Sequence, residues 1–300
     1  MPGDSPGPDG ARLTPADAPG FHGARLTPAM LELERAAAAH WRGTDEEWLG
    51  DWLLRAADGF TGRANSALPL GDPGRPVDAA LGYVTRWYRD RGLPAMIAVP
   101  LPPSYNPSDP ADDPSDRSGT GAPAAFGPAL DAALTARGWP TRSGPAYVMT
   151  AELPLAAAEA ALPSGAVLTA DTVADEEWLA RYHYRGADSQ PPVLRTVLAS
   201  AEDQAFISIR SGSDVLAIAR LSIAEGWAGL TAVEVDPSRR RAGLGRAITA
   251  AACAEAVARG ARQVFLQVET GNTGARALYE RCGFRYSHWY RYRMAPPGRL

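Results

Sequence analysis

The chain has 300 residues, a net charge of −4 and 45% apolar residues, the profile of a soluble globular protein long enough for two cores. All 30 basic residues are arginine, which excludes a lysine Schiff base and any phosphate loop that relies on lysine. Two cysteines, Cys253 and Cys282, make no disulfide framework, and His22, His40, His183 and His288 have no ligand spacing, so a reducing cytoplasm and no metal are expected.

Residues 1–24 are polar and rich in Pro and Gly, without the basic-then-apolar layout of a signal peptide, and read as a disordered leader. No apolar run approaches about 18 residues, so no membrane span is expected. The stretch "FTGRANSALPL" (60–70) reads as a strand. From 68 to 100 the pattern is loop, long helix, Arg-Gly stop and short apolar strand. Residues 102–123, rich in Pro, Ser and Asp, form a disordered insertion. A helix and a strand then close the first half, 25–150, and 151–165 is a linker. The second half, 166–296, runs β-α-α-β-β-β-α-β-α-β.

The two halves are built alike. Residues 68–100 lie ungapped over 236–268 at an offset of 168, with Arg91-Gly92 on Arg259-Gly260. Further on, Gly138-Trp139 matches Gly283-Phe284 at an offset of 145, and the insertion accounts for the difference. The charge is uneven. Residues 1–150 hold 13 Arg against 18 acids, whereas from Pro237 onward there are 12 Arg and 3 acids, which calls for an anionic partner or an acidic neighbour.

The most informative stretch is "VEVDPSRRRAGLGRAITAA", 233–251. An apolar strand ends, and a helix begins after a loop with three arginines and two glycines. Unpaired amides and the positive dipole end at a helix start favour an anion. Gly243 and Gly245 leave room for a bulky phosphate, and Arg240 and Arg241 can add charge-assisted contacts.

The pattern R-x-x-G-x-G at Arg240, Gly243 and Gly245 resembles the pyrophosphate loop of the GNAT superfamily of acyl-CoA N-acyltransferases. The family pattern continues in "VFLQVETGNTGARALYERCGF", with Asn272, Ala275, Ala277, Leu278, Tyr279, Gly283 and Phe284 in order. This resemblance implies a mixed α/β (α+β) fold of two GNAT-like domains. Each would have a mixed, mostly antiparallel central sheet flanked by helices. It also implies a V-shaped gap between the strand ending at Val235 and the strand 263–270. The pantetheine arm of acetyl-CoA would bond backbone near Val233 and Val235. The pyrophosphate would sit on Arg240, Arg241, Ala242, Gly243, Leu244, Gly245 and Arg246, and Asn272, Ala275, Arg276 and Tyr279 would line the cofactor arm.

The implied reaction is acetyl transfer to a primary amine of a small molecule or peptide, with CoA as product. The resemblance maps the acid that protonates the thiolate onto Tyr279. The base stays open. Gly229, Thr231 and Gln267 stand where many relatives carry a glutamate, which leaves Glu234 and Glu269, or a water relay. Glu234 alternates away from Val233 and Val235 unless a bulge re-aims it. Tyr182, His183 and Tyr292 are candidate acceptor contacts. Trp178, Tyr184, His288, Trp289 and Tyr290 are further aromatics on the same elements.

In the first half Asp72, Arg75 and Val77 stand opposite Arg240, Gly243 and Gly245, and the candidate acid Tyr279 has no tyrosine opposite it, so this copy is degenerate and without a CoA site. Its role would be to support the other half and shape the acceptor cleft. An acyl-CoA sensor without turnover is the rival reading. No nucleic-acid or membrane partner is expected for this cytoplasmic monomer or homodimer.

Overall fold

The computed structural model describes residues 25–106, 126–155, 162–183 and 190–296. The leader, most of the insertion, the middle of the linker and Tyr184 lie outside them.

The first half begins with helix α1 (Pro28–His40). Thr27 caps it by accepting the Met30 amide, Pro28 fits the first turn, and an alanine run propagates it. Strands β1 (Asp45–Leu49), β2 (Trp52–Ala56) and β3 (Leu68–Pro69) follow as a small antiparallel sheet. Then come α2 (Val77–Arg89), β4 (Met96–Leu101), α3 (Gly127–Ala136) and β5 (Ala146–Glu152).

The second half has the predicted order: β6 (Val167–Asp171), α4 (Glu176–Arg181), α5 (Leu194–Leu198), β7 (Asp203–Ser211), β8 (Asp214–Ala224), β9 (Trp227–Val235), α6 (Leu244–Ala258), β10 (Gln263–Glu269), α7 (Thr273–Arg281) and β11 (Arg285–Met294). Among the described residues no helix is long and apolar enough to cross a membrane.

One mixed sheet of eight strands, in the order β4-β11-β5-β10-β9-β8-β7-β6, crosses both halves. The sheets expected for the two domains are therefore fused, and the fusion is reciprocal. By the sequence repeat β4 corresponds to β10 and β5 to β11. The central order β4-β11-β5-β10 places the last strand of each half beside the other half's β4 or β10. The pattern repeats about the β11–β5 boundary like a local twofold. Each half is completed by a strand of the other.

One sequence expectation changes. Residues 60–67 are not a strand. A single turn of 3-10 helix, Arg63–Asn65, occupies their centre, and the chain is extended only from Ser66, with Ala67 bridging Ile97 and Leu68–Pro69 forming the strand. Asn65 explains the change. Its Oδ1 accepts the Ala57 and Gly59 amides, and its Nδ2 donates to the Phe60 and Thr61 carbonyls. A buried side chain thus satisfies backbone groups that a strand would have paired.

For some of the C-terminal arginines the fold supplies the acidic neighbour that the charge count called for. Arg291 and Arg293 are buried and both bond the Asp131 carboxylate on α3, and Arg259 pairs with Asp203 and Glu255. Part of the positive segment is neutralised by the acidic first half.

Candidate active site

Strands β9 and β10 run parallel and pair only through Ala228–Val264, Gly229–Phe265 and Leu230–Leu266. Beyond Leu230 and Leu266 they diverge, which is the expected gap. Its β9 edge has a defined hydrogen-bonding direction. The Asp236 amide bonds the Leu216 carbonyl, so ladder alternation turns the backbone groups of Glu234 toward β8 and those of Val233 and Val235 into the gap.

A bulge interrupts the β8–β9 register between Arg220–Thr231 and Ile218–Glu234, and Ala232 there has a φ of 52°. It shifts the phase of the strand. Leu230, Val233 and Val235 pack on one side, with α6 and α7. Glu234 stands on the opposite side, against the α4 end.

At the foot of the gap, α6 starts from Gly243. Arg241 has φ 67° and Gly243 has φ 81° in the preceding loop. The two glycines have different functions. A Cβ at Gly243 would meet nothing within 4 Å, so this glycine supplies the left-handed turn and leaves the approach open. A Cβ at Gly245 would lie 2.9 Å from Leu278 Cδ2, so this glycine lets α6 pack closely against α7. Arg239, Arg240 and Arg241 are exposed, and no carboxylate of the described residues pairs with them.

On the other wall, Asn272 caps α7 by accepting the Ala275 amide. Arg276, expected to line the cofactor arm, is held by contacts within the fold. It donates to Tyr286 Oη at 3.0 Å and to the Thr270 carbonyl at 3.0 Å, and lies over the Tyr147 ring. Tyr279 is 7% exposed, edge-on to Phe284, and its phenol hydrogen-bonds no described residue. Burial pushes its pKa far above the ordinary phenol value, so the proton stays on the oxygen at neutral pH.

The base candidates separate. Glu234 is partly buried and accepts the His183 amide at 2.8 Å, with His183 Nδ1 3.6 Å from its other oxygen. Burial raises its pKa, against the smaller pull of His183 and Arg181. Glu269 is exposed at the end of β10, opposite Ala146.

The acceptor candidates separate too. His183 is exposed beside Glu234. Tyr182 is a core residue, 6% exposed and stacked on Trp178 at 5.9 Å. Tyr292 lines a cleft between the halves, together with Glu34, Trp41, Arg55, Arg63 and Gln267. His288 closes its floor by bonding Glu34 at 2.7 Å, while Trp289 donates to the Pro102 carbonyl away from it.

Sequence reasoning missed the first-half contributions to this cleft. Their signal was present as polar residues at apolar positions: Glu34 and His40 on the buried face of "LELERAAAAH", Arg55 in "WLLRA" and Arg220 in "LAIARLS". His40 sits against Gly229, where a Cβ would lie 2.5 Å from its Nδ1. Its Nε2 donates to the Ala224 carbonyl and its Nδ1 accepts from the Ser222 hydroxyl. Arg220 is fully buried and bonds only neutral groups: the Leu198 and His40 carbonyls, Ser222, Thr231 and Gln204. Burial presses its pKa below the ordinary guanidinium value.

Comparison with known proteins agrees with this geometry. The family described as "Probable histone acetyltransferase Rv0428c C-terminal" matches residues 27–108 and 132–293. The probable histone acetyltransferase Rv0428c of Mycobacterium tuberculosis is 28% identical over 274 residues, which cover 88% of this chain and 73% of that protein. A mycothiol acetyltransferase of Thermobispora bispora is 52% identical over 52 residues, 17% of this chain and 18% of that protein. Among solved structures, a GCN5-related N-acetyltransferase from Kribbella flavida superposes with a TM-score of 0.59 at 20% identity, over 86% of this chain and 91% of that one. A tandem GNAT protein from the clavulanic acid biosynthesis pathway gives 0.57 at 16% identity, over 74% and 70%. These two likenesses concern the fold.

Proposed function

The chain belongs to the family of the Rv0428c C-terminal region and is an acetyltransferase of the GNAT type, and from that premise we propose that it moves an acetyl group from acetyl-CoA to a primary amine. The observation that carries this reading is the divergence of β9 from β10 beside an open, arginine-lined helix start. The residues fit the cofactor. Val233 and Val235 turn backbone groups into the gap, and the α6 start offers amides together with the free charges of Arg240 and Arg241.

When bound, acetyl-CoA supplies an activated thioester. The protein's part is to hold and move protons. Glu234 takes a proton from the attacking amine, directly or through water, and its raised pKa makes it a stronger base than a solvated carboxylate. Tyr279 holds a proton for the departing thiolate, and its own pKa leaves the phenol protonated until then. The acceptor amine reaches the gap from the face that carries Glu234 and Gln267, with His183 at the entrance.

The alternative of an acyl-CoA sensor is supported by Gln267, a non-titrating residue at a position where a base would be useful, held by Arg63 at 2.9 Å.

The test is thiol release from acetyl-CoA with a panel of amines. Wild type is expected to turn over at least one amine. Tyr279→Phe is expected to lose about 10²- to 10⁴-fold in kcat while CoA affinity holds. The rate should rise with pH through the Glu234 pKa, displaced above the usual carboxylate range, and Glu234→Gln should abolish that limb. Tight CoA binding with no release for any amine makes the protein a sensor.

A further inference from the structure

The cleft between the halves carries charge that the fold does not neutralise. Arg55 is 4% exposed, and no carboxylate among the described residues pairs with it. Its Nε and Nη2 bond only Ser66, and its Nη1 bonds nothing described. Arg63 gives one Nη1 bond to Gln267 and lies over the Trp41 ring at 4.7 Å, which leaves its Nε and Nη2 unused among the described residues. Arg220 lies 5.4 Å from the same ring, so a third guanidinium without a described carboxylate partner adds to the field. The one acid on the cleft wall, Glu34, is engaged by His288. Both Arg55 and Arg63 are close enough to the Tyr292 phenol to oppose the upward push of burial on its pKa.

Like charges gathered away from water are costly unless an anion joins them. Guanidinium forks match a carboxylate best, through paired N–H donors. The position is also right for a substrate. Gln267 stands just past the last β9–β10 pair, so the cleft adjoins the gap, on the face that carries Glu234. The cleft is narrow and partly open to solvent, so it takes an end group of a small molecule rather than the whole of one.

We infer that this cleft binds the carboxylate of the acceptor between Arg63 and Arg55, so that the acceptor is a small amine that also carries a carboxylate. The inference rests on the proposed amine acetylation for its meaning, and its test is independent of turnover.

Calorimetry on the full chain saturated with CoA compares amino acids of increasing chain length, each with its own amide. At least one carboxylate is expected to bind about tenfold or more tighter than its amide, the value of a charge-assisted hydrogen-bond pair. Arg63→Gln should bring that ratio toward one, and Arg63→Lys, which keeps the charge without the fork, should retain part of it. CoA affinity measured in the same cell reports that each variant is folded. Equal affinities, no binding by any member, or a preference that Arg63→Gln leaves intact overturns the inference. So does tighter binding by the matched amine bearing a phosphate monoester. A carboxylate that binds without thiol release keeps the site and removes the enzyme reading instead.

Discussion

The loops that open α2 and α6 occupy the same place in the two halves and have opposite chemistry. In the second half the loop ends on Gly243, its arginines are exposed and no described carboxylate pairs with them. In the first half, Asp72 Oδ1 accepts the Gly74 amide, Asp51 Oδ2 accepts the Asp72 amide, and the Asp51 amide bonds the Asp72 carbonyl. Internal carboxylates have taken the donors an external anion would need. The difference recurs at the next helix. Tyr279 keeps a phenol that bonds no described residue, while its counterpart Leu134 is a fully buried core side chain with no proton to give. Where the second half leaves its loop open, the first half fills the same place with internal polar bonds.

The scaffold role can be broken at Asp131. Burial alone pushes this carboxyl's pKa up, and the bonds from Arg291 and Arg293 more than offset that, so it stays ionised well into acid. Asp131→Asn removes the negative charge from between two buried guanidiniums that belong to the other half. The expected loss is about 3–5 kcal/mol of stability, read as the denaturant midpoint, with one cooperative transition because the halves share a sheet. Two separate transitions would mean that the halves fold independently.

His40 is the next test, because it carries the contact in the opposite direction, from the first half into the strand ladder of the second. Burial, the largest cause, lowers its pKa to about 4 from 6.5. The unfolded chain therefore binds the extra proton first. The stability that the neutral ring contributes is intact above pH 6.5 and is lost as pH falls toward 4, at most ~3 kcal/mol. His40→Gln should flatten that acid limb in denaturant midpoints measured across the interval. A limb of unchanged slope would assign the pH dependence to other groups.

Much of this was legible in the sequence, for reasons tied to particular residues. The element order of 166–294 followed from periodicity and stop signals such as Arg259-Gly260, and the gap from the resemblance of the residues around Gly243 and Asn272. What was not legible depends on tertiary neighbours. A repeat shows that β5 and β11 correspond, and it carries no information on which of them pairs with β10. The side of β9 on which Glu234 lies depended on one bulge residue, Ala232, whose positive φ no propensity encodes. Arg55 was an isolated charge in an apolar strand and Arg63 one in a polar turn, and only the fold brings them and Gln267 to one wall.

The loop comparison itself is sharpened by copying one half into the other. Arg240→Asp gives the second-half loop the residue that stands at position 72 in the first. Because Arg240 is exposed, its contact is screened and the fold should be untouched, so the thermal midpoint is expected to stay within error. CoA affinity should fall roughly tenfold from the lost charge-assisted contact and the added repulsion, and the fall should shrink as salt is raised. Arg239→Asp, at the end of the short turn before it, serves as the control for general charge and should cost less. Equal losses at both positions would mean that the loop acts through its overall field. A loss confined to Arg240 would mean that it acts as a shaped site, which the first-half loop, with Asp72 bonded to its own backbone, does not offer.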